Sequence, residues 1–311
     1  FLKSRFNRNS LDGHGFRLNA NVKQFLFNNA YWDGLETSFG GGDCHSYNPF
    51  TYIDIVGHEF THGLIQLTAN LDYYEESGAL NESISDIFGK ALEYEVHSQT
   101  FSWNLGGKVS KDSTSFFRSM RNPNDQMHPK YYKGKYWEDS GFFGIDLHVN
   151  NGVFNFWFYL LSEGKNAVNE KNVRYDVKKI GIDKALNIVY HALVNYMLPN
   201  TNYVKMREYT LEATKDLYGE NSFEYNQVLE AWKAVGVLDN VNINLSKYPS
   251  FQPSNYYNIR VCEDELQNYK FTFRNTSLIT YAAGDSLGIK IVMHYFAFDS
   301  INYSFKDTIY N

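Results

Sequence analysis

The run Val153-Phe154-Asn155-Phe156-Trp157-Phe158-Tyr159-Leu160-Leu161 has no polar face, and Asn155 is its one amide. A helix of that composition cannot lie on a surface and has to be enclosed by other elements. A chain of 311 residues is long enough to build the enclosure. Helical apolar spacing recurs near 183–197, 203–218 and 222–235, so the buried helix belongs to a helical block that ends at Gly236. Upstream, Ile55, Val56, Phe60, Leu64 and Leu67 recur at helical steps from Ile53 to about Leu67. Thr51 stands at the expected N-cap of that helix and Asp54 in its first turn. A second helix is predicted over about Gly78–His97, with Leu80, Ile84, Ile87, Phe88, Ala91 and Leu92 on one stripe. Residues 1–50 read as loops and short extended pieces.

Beyond Leu238 the period changes. Val241, Ile243 and Leu245 alternate with Asn, Tyr269, Phe271 and Phe273 with polar residues, and Ile289, Ile291, Met293 and Tyr295 do the same. Period two broken by Ala283-Gly284-Asp285-Ser286 predicts a small β module, with a boundary at about 239–248 closed by Pro249. A net charge of −6 offers no basic face for phosphate and argues against a nucleic-acid partner. No apolar run approaches the ~18 residues of a membrane helix. Cys44 and Cys262 are too few and too far apart for a disulfide framework or a zinc knuckle, and their pairing stays open.

The chemistry concentrates in His58-Glu59-Phe60-Thr61-His62. Residues four apart stack on one helical face, so both imidazoles can reach one ion, and neutral imidazole suits zinc. Glu59, one step round from His58, can lean over the open side of the metal without binding it. In the next helix Glu82 and Asp86 also share a face, set among Leu80, Ile84, Ile87 and Phe88. Buried unpaired carboxylates are costly, so the pair needs partners. Glu82 can supply a third ligand, and Asp86, one turn on, can accept the free N–H of a metal-bound histidine. His14, His45, His97, His128, His191 and His294 have no partner at ligand spacing.

His58-Glu59-Phe60-Thr61-His62 followed by Asn81-Glu82-Ser83-Ile84-Ser85-Asp86 resembles the thermolysin family of secreted neutral metallopeptidases, and the likeness runs from residue 1 to about 238. It implies an α+β, two-lobed fold: a partial N-terminal lobe over 1–74 carrying the zinc helix, a mainly helical C-terminal lobe over 75–238, and the β module at 239–311 appended. It also implies a zinc endopeptidase acting outside the cell as a monomer on protein or peptide substrates. Asn28-Asn29-Ala30-Tyr31-Trp32 resembles the edge segment whose Asn29 side chain and Ala30 backbone hold the substrate chain. Tyr73 and His148 fall where the family stabilises the oxyanion, and Arg118 where it binds a primed-side carbonyl. Ile55 and Phe117 fall in its primed-side pocket, which implies a bulky apolar residue after the scissile bond.

The pattern also departs from the family. The chain begins inside the first lobe, so several dozen strand-rich residues are expected to be absent and that lobe truncated. Asp54 and Glu93 match two calcium-binding carboxylates, but the next acidic cluster, aligned through Trp103, is replaced by Ser102, Asn104 and Gly107. Calcium takes about six to eight oxygens, which leaves at most a single weak calcium site on Asp54 and Glu93. The usual Asp-Asn-Gly-Gly run before His148 is missing, so the acid that orients it is Asp139 or Asp146, with Asp146 the named candidate. Two rival readings remain: a catalytically impaired fragment, and a surface- or polymer-binding role carried by the β module.

Overall fold

The computed structural model describes residues 1–22, 27–139 and 146–237 in full, and the backbone of 243–244 and 274–275. The chain divides into two compact units, Phe1–Asp239 and Asn240–Asn311. The first opens with a short helix α1 (Leu2–Phe6) and three short strands, β1 (Ala20–Val22), β2 (Ala30–Trp32) and β3 (Thr37–Phe39). They form a sheet in the order β1-β3-β2, β1 parallel and β2 antiparallel to β3, with Ala30 opposite Phe39. Among the described residues the outer edge of β2 carries no strand.

Two long helices follow, α2 (Ile53–Gln66) and α3 (Glu75–His97). Tyr52, not the expected Thr51, is the N-cap of α2, and no side chain caps it, while Asp54 is the acid of its first turn. Helix α3 starts three residues before the expected Gly78, with Glu75 and Glu76 in its first turn, where acids favour the positive end of the helix dipole. The two helices meet backbone to backbone at glycines. A Cβ on Gly57 would lie 2.8 Å from the Gly89 Cα, and one on Gly89 would lie 2.3 Å from the Asp54 carbonyl oxygen. Only residues without side chains allow that approach.

A two-residue ladder joins β4 (Asn104–Leu105) to β5 (Arg118–Ser119), Leu105 opposite Arg118. Then come a single helical turn α4 (Leu147–Asn150) and the apolar helix α5 (Gly152–Glu163). Between α5 and the last helices lies a hairpin the sequence reading passed over, β6 (Lys165–Val168) with β7 (Arg174–Val177). Helices α6 (Ile182–Asn195), α7 (Tyr203–Tyr218) and α8 (Phe223–Ala234) complete the unit close to their expected bounds.

As its composition requires, α5 is enclosed: Phe154, Trp157, Phe158, Leu160 and Leu161 are each 0% exposed. The Trp157 and Trp232 rings are 5.0 Å apart and both pack on Phe154. The Trp232 indole donates to the Thr210 hydroxyl at 2.9 Å, which removes the cost of burying its N–H. Truncating one such tryptophan typically costs about 3–5 kcal/mol. Of the expected β module, the described backbone holds one short pair, β8 (Ile243–Asn244) antiparallel to β9 (Arg274–Asn275). The rest of that module lies outside the described residues, as does Cys262. Cys44 is exposed, with its thiol free. None of the described helices is long and apolar enough to cross a membrane.

Candidate active site

The glycine crossing sets the site. With α2 and α3 in contact at Gly57 and Gly89, side chains within two turns of the crossing converge, and the ligand atoms of His58, His62 and Glu82 all lie within 4.8 Å of one another. His58 Nε2 is 3.1 Å from His62 Nε2 and 3.3 Å from Glu82 Oε2, and His62 Nε2 is 3.5 Å from Glu82 Oε1. Ligands about 2.0–2.1 Å from a tetrahedral zinc stand roughly 3.3–3.5 Å from each other, so the donor set fits that ion. Two further observations support the fit. Glu82 is fully buried with its Oε2 lacking a hydrogen-bond partner. Its carboxyl, which burial alone would raise, is drawn well below the usual carboxylate range by His62 and His58.

The two imidazoles are held from behind. His62 Nδ1 is 2.8 Å from Asn81 Oδ1 and 3.2 Å from the Ser85 hydroxyl, and His58 Nδ1 is 2.8 Å from Asp86 Oδ1. Burial lowers His62 to about 4. Burial also opposes charge on His58, yet Asp86 and Glu82 overcome it and raise that group to about 10. The carboxylates around His58 therefore favour positive charge at this spot.

Asp86 is a hub. It is completely buried and takes Arg118 in a two-pronged grip, Nε to Oδ2 and Nη2 to Oδ1, both 2.7 Å. The amides of Asn151 and Asn155 also donate to Oδ2, at 2.9 and 2.8 Å. Burial would raise this carboxyl, but Arg118 and His58 hold it below its ordinary range. The guanidinium expected to face substrate thus spends two of its donors on Asp86, while Arg118 still lines the cleft. Asn155, the lone amide of the apolar run, also accepts from the Ser83 hydroxyl at 2.7 Å, tying α5 to α3.

The cluster opens on a cleft of about 950 Å³, whose walls include Asn29, Ala30, Ile55, Glu59, Tyr73 and His148. Glu59 is 6% exposed, and burial raises its carboxyl to about 7, with His58 opposing the rise. The half-exposed Tyr73 donates its hydroxyl to Glu82, and its pKa is raised, first by burial and then by that carboxylate. His148 Nε2 lies 3.4 Å from Glu82 Oε2, and its Nδ1 lies 3.0 Å from Asp146 Oδ1. Asp146 also caps α4 by accepting the His148 backbone N–H. Of the two acids named for orienting His148, Asp146 is the one in contact with its ring. The β2 edge runs along the cleft, anchored to α2 by the Trp32 indole donating to Gln66 at 2.7 Å.

Ile55 and Phe117 share one apolar wall. Phe117 stacks on Phe50 at 5.8 Å and 14°, with Tyr47 against both, two rings the sequence reading had not singled out. Gly106 makes room for this wall, since a Cβ there would sit 2.1 Å from the Phe117 ring and its φ is +71°. Asp54 and Glu93, expected as calcium ligands, do come together, but the fully buried Lys90 lies with them. Burial pushes the Glu93 carboxyl up, and Lys90 opposes that shift.

Two histidines a turn apart on one helix, a carboxylate from the next, and a buried glutamate on the cleft side form the donor pattern that metal-dependent hydrolases use. The relatives are of that class. The family profile described as the thermolysin metallopeptidase catalytic domain matches residues 1–66, and that of its alpha-helical domain matches residues 69–237. The chain belongs to the thermolysin metallopeptidase family. It is 37% identical over 245 residues to a thermolysin of Alicyclobacillus acidocaldarius subsp. acidocaldarius and to a bacillolysin of Bacillus caldolyticus, covering 76% of this chain and 43% of each relative. Neutral protease B of Bacillus subtilis is 35% identical over 244 residues, with the same coverage. The solved precursor of protealysin, a metalloproteinase from Serratia proteamaculans, superposes with a TM-score of 0.60 at 27% identity, over 76% of this chain and 74% of that one. The chain thus spans less than half the length of these curated relatives, and its fold is the thermolysin-like α+β fold with a helical C-terminal domain.

Proposed function

We propose that this chain is a secreted zinc endopeptidase, with His58, His62 and Glu82 holding the ion. The observation that carries the reading is the convergence of those three donors at the spacing of a tetrahedral zinc, beside a buried glutamate at the wall of a long cleft. When bound, zinc would polarise the scissile carbonyl and lower the pKa of a coordinated water to about 7. Glu59, whose own carboxyl is raised to about 7, is matched to take a proton from the attacking water and hand it to the leaving amine. Tyr73 and His148, both within reach of Glu82, stabilise the developing oxyanion, each worth roughly 10²–10³ in rate.

Asp86 orients His58, and Asp146 orients His148. The substrate runs extended along β2, using the Ala30 backbone and the Asn29 side chain as one more strand would. Arg118 reaches a carbonyl beyond the scissile bond with one of the three N–H donors that Asp86 leaves over. The wall of Ile55, Phe117 and Phe50 favours a bulky apolar residue just after that bond. In this reading the division is 1–74, 75–238 and 239–311, and the chain works as a monomer on proteins or peptides.

Zinc content and digestion of an unfolded protein, wild type against Glu59→Gln, test the proposal together. The expected result is one zinc per chain in both, with hydrolysis lowered by about 10²–10⁴ in the variant and wild-type cuts before Leu, Ile and Phe. Zinc-loaded wild type without turnover would overturn the catalytic reading and favour an impaired fragment. Cuts favouring charged residues at that position would overturn the pocket assignment alone.

A further inference from the structure

Lys90 has no part in the chemistry above, and it is one of the largest fully buried side chains in the chain. It points from α3 into the junction of α2, α3 and β4. Its ammonium pairs with Glu93, donates to the Asn104 carbonyl at 3.0 Å, lies 4.0 Å from Asp54 Oδ2 and sits 5.1 Å from the centre of the Phe101 ring. Asp54 is fixed independently, since its carboxylate accepts the backbone N–H groups of Ile55 and Gly106, both at 2.9 Å.

These are the two carboxylates that the family resemblance assigns to calcium. The donor set does not fit that ion. Calcium wants about six to eight oxygens at roughly 2.3–2.6 Å. Here the carboxylates face an ammonium, and Ser102, Asn104 and Gly107 add no acid. Among the described residues, His58, His62 and Glu82 form the only group of three or more metal-ligating side chains close enough to share an ion. A buried charge cannot stand alone, so acids brought together here need a cation from somewhere.

We infer that Lys90 is that cation: its ammonium stands between Asp54 and Glu93 in place of a divalent ion and offsets one of their two charges, while backbone N–H groups hold Asp54, so the joint is held without calcium. This does not depend on the zinc reading. Asp54 also ties the start of the zinc-carrying helix to the Gly106 turn that seats Phe117, so Lys90 supports the cleft wall from behind.

The test is thermal unfolding of the full chain, stripped of calcium, reloaded with zinc, and measured with and without calcium at about 5 mM, above the Kd of weak protein sites. Magnesium serves as the ionic-strength control. The wild-type Tm should move by less than about 1 °C on adding calcium. Lys90→Ser leaves two buried carboxylates and a hydroxyl, and its Tm should fall by about 10 °C without calcium. Calcium, but not magnesium, should restore at least half of that loss. A calcium-dependent rise in the wild type that Asp54→Asn removes would overturn the inference, as would a Lys90→Ser protein as stable as wild type or unresponsive to calcium. Should Lys90→Ser not fold, the neutral triple variant Lys90→Met, Asp54→Asn, Glu93→Gln decides. It should fold and ignore calcium, and its failure to fold would assign Lys90 a purely packing role.

Discussion

Asp86 receives more hydrogen bonds than any single role at the site would require. His58 from α2, Arg118 from β5, Asn155 from α5 and Asn151 from the turn before α5 all converge on this one carboxylate. Replacing it by Asn removes the charge that pairs with Arg118 and puts an N–H where one of the donors now points. Zinc affinity should fall about 10–100-fold, read by competition with a chromophoric chelator. An unchanged affinity would mean that Asp86 serves the fold and not the metal. At this scale the sequence was informative where spacing alone carries the chemistry: His58 with His62 and Glu82 with Asp86 announce themselves through four-residue steps on amphipathic helices, and Glu59 by standing next to His58. Asn81 sat in the quoted motif without a role, and no local pattern says that it faces His62. Asn155 carried a fainter signal. A lone amide in an otherwise apolar run has to be satisfied by something buried, and here that something is Asp86 and Ser83.

At the level of elements, the spacing of α2 and α3 is governed by Gly57 and Gly89. A methyl on Gly89 would meet the Asp54 carbonyl at 2.3 Å and the His58 backbone nitrogen at 3.1 Å, so Gly89→Ala has to push the helices apart. Overpacking of this kind costs about 1–3 kcal/mol, which lowers Tm by roughly 5 °C in a domain of this size. The larger effect should be on the metal, because the shift separates Glu82 from both histidines. A zinc affinity at least about tenfold weaker, alongside unaltered far-UV circular dichroism, is the expected outcome. Wild-type affinity in that variant would show that the crossing has slack. Helix positions were legible because periodicity is local, and most bounds lie within a few residues. Where those helices touch was not legible, since a glycine inside a helix reads as a weakness until its neighbour is known. The β6–β7 hairpin escaped for a related reason: Lys165–Val168 is mostly exposed and alternates too weakly to stand out.

For the molecule as a whole, the first compact unit contains the buried α5, the aromatic stack around Trp157 and every residue assigned to the site. A chain ending at Asp239 should therefore unfold within about 2 °C of the full chain and cleave peptides at an unchanged rate. A large loss of either would show that residues 240–311 complete the enzyme. Motif order pointed to the family at this scale, and the profiles over 1–66 and 69–237 agree. The acids at Asp54 and Glu93 suggested an ion, and the residue that takes its place lay unnoticed between them in sequence. A lysine on a helix looks like a solvated residue until its neighbours bury it.

An ion that binds only the folded state adds stability that grows with the logarithm of its concentration and vanishes on dilution. A cation covalently attached to the chain obeys no such law, because its local supply is fixed by the backbone and cannot be depleted. The Asp54–Lys90–Glu93 joint should therefore hold equally well in fresh water, in brine and in the presence of phosphate or citrate that would strip a bound calcium ion from a protein. The same trait removes a means of control: changing the calcium around a chain built this way would neither loosen nor tighten this joint.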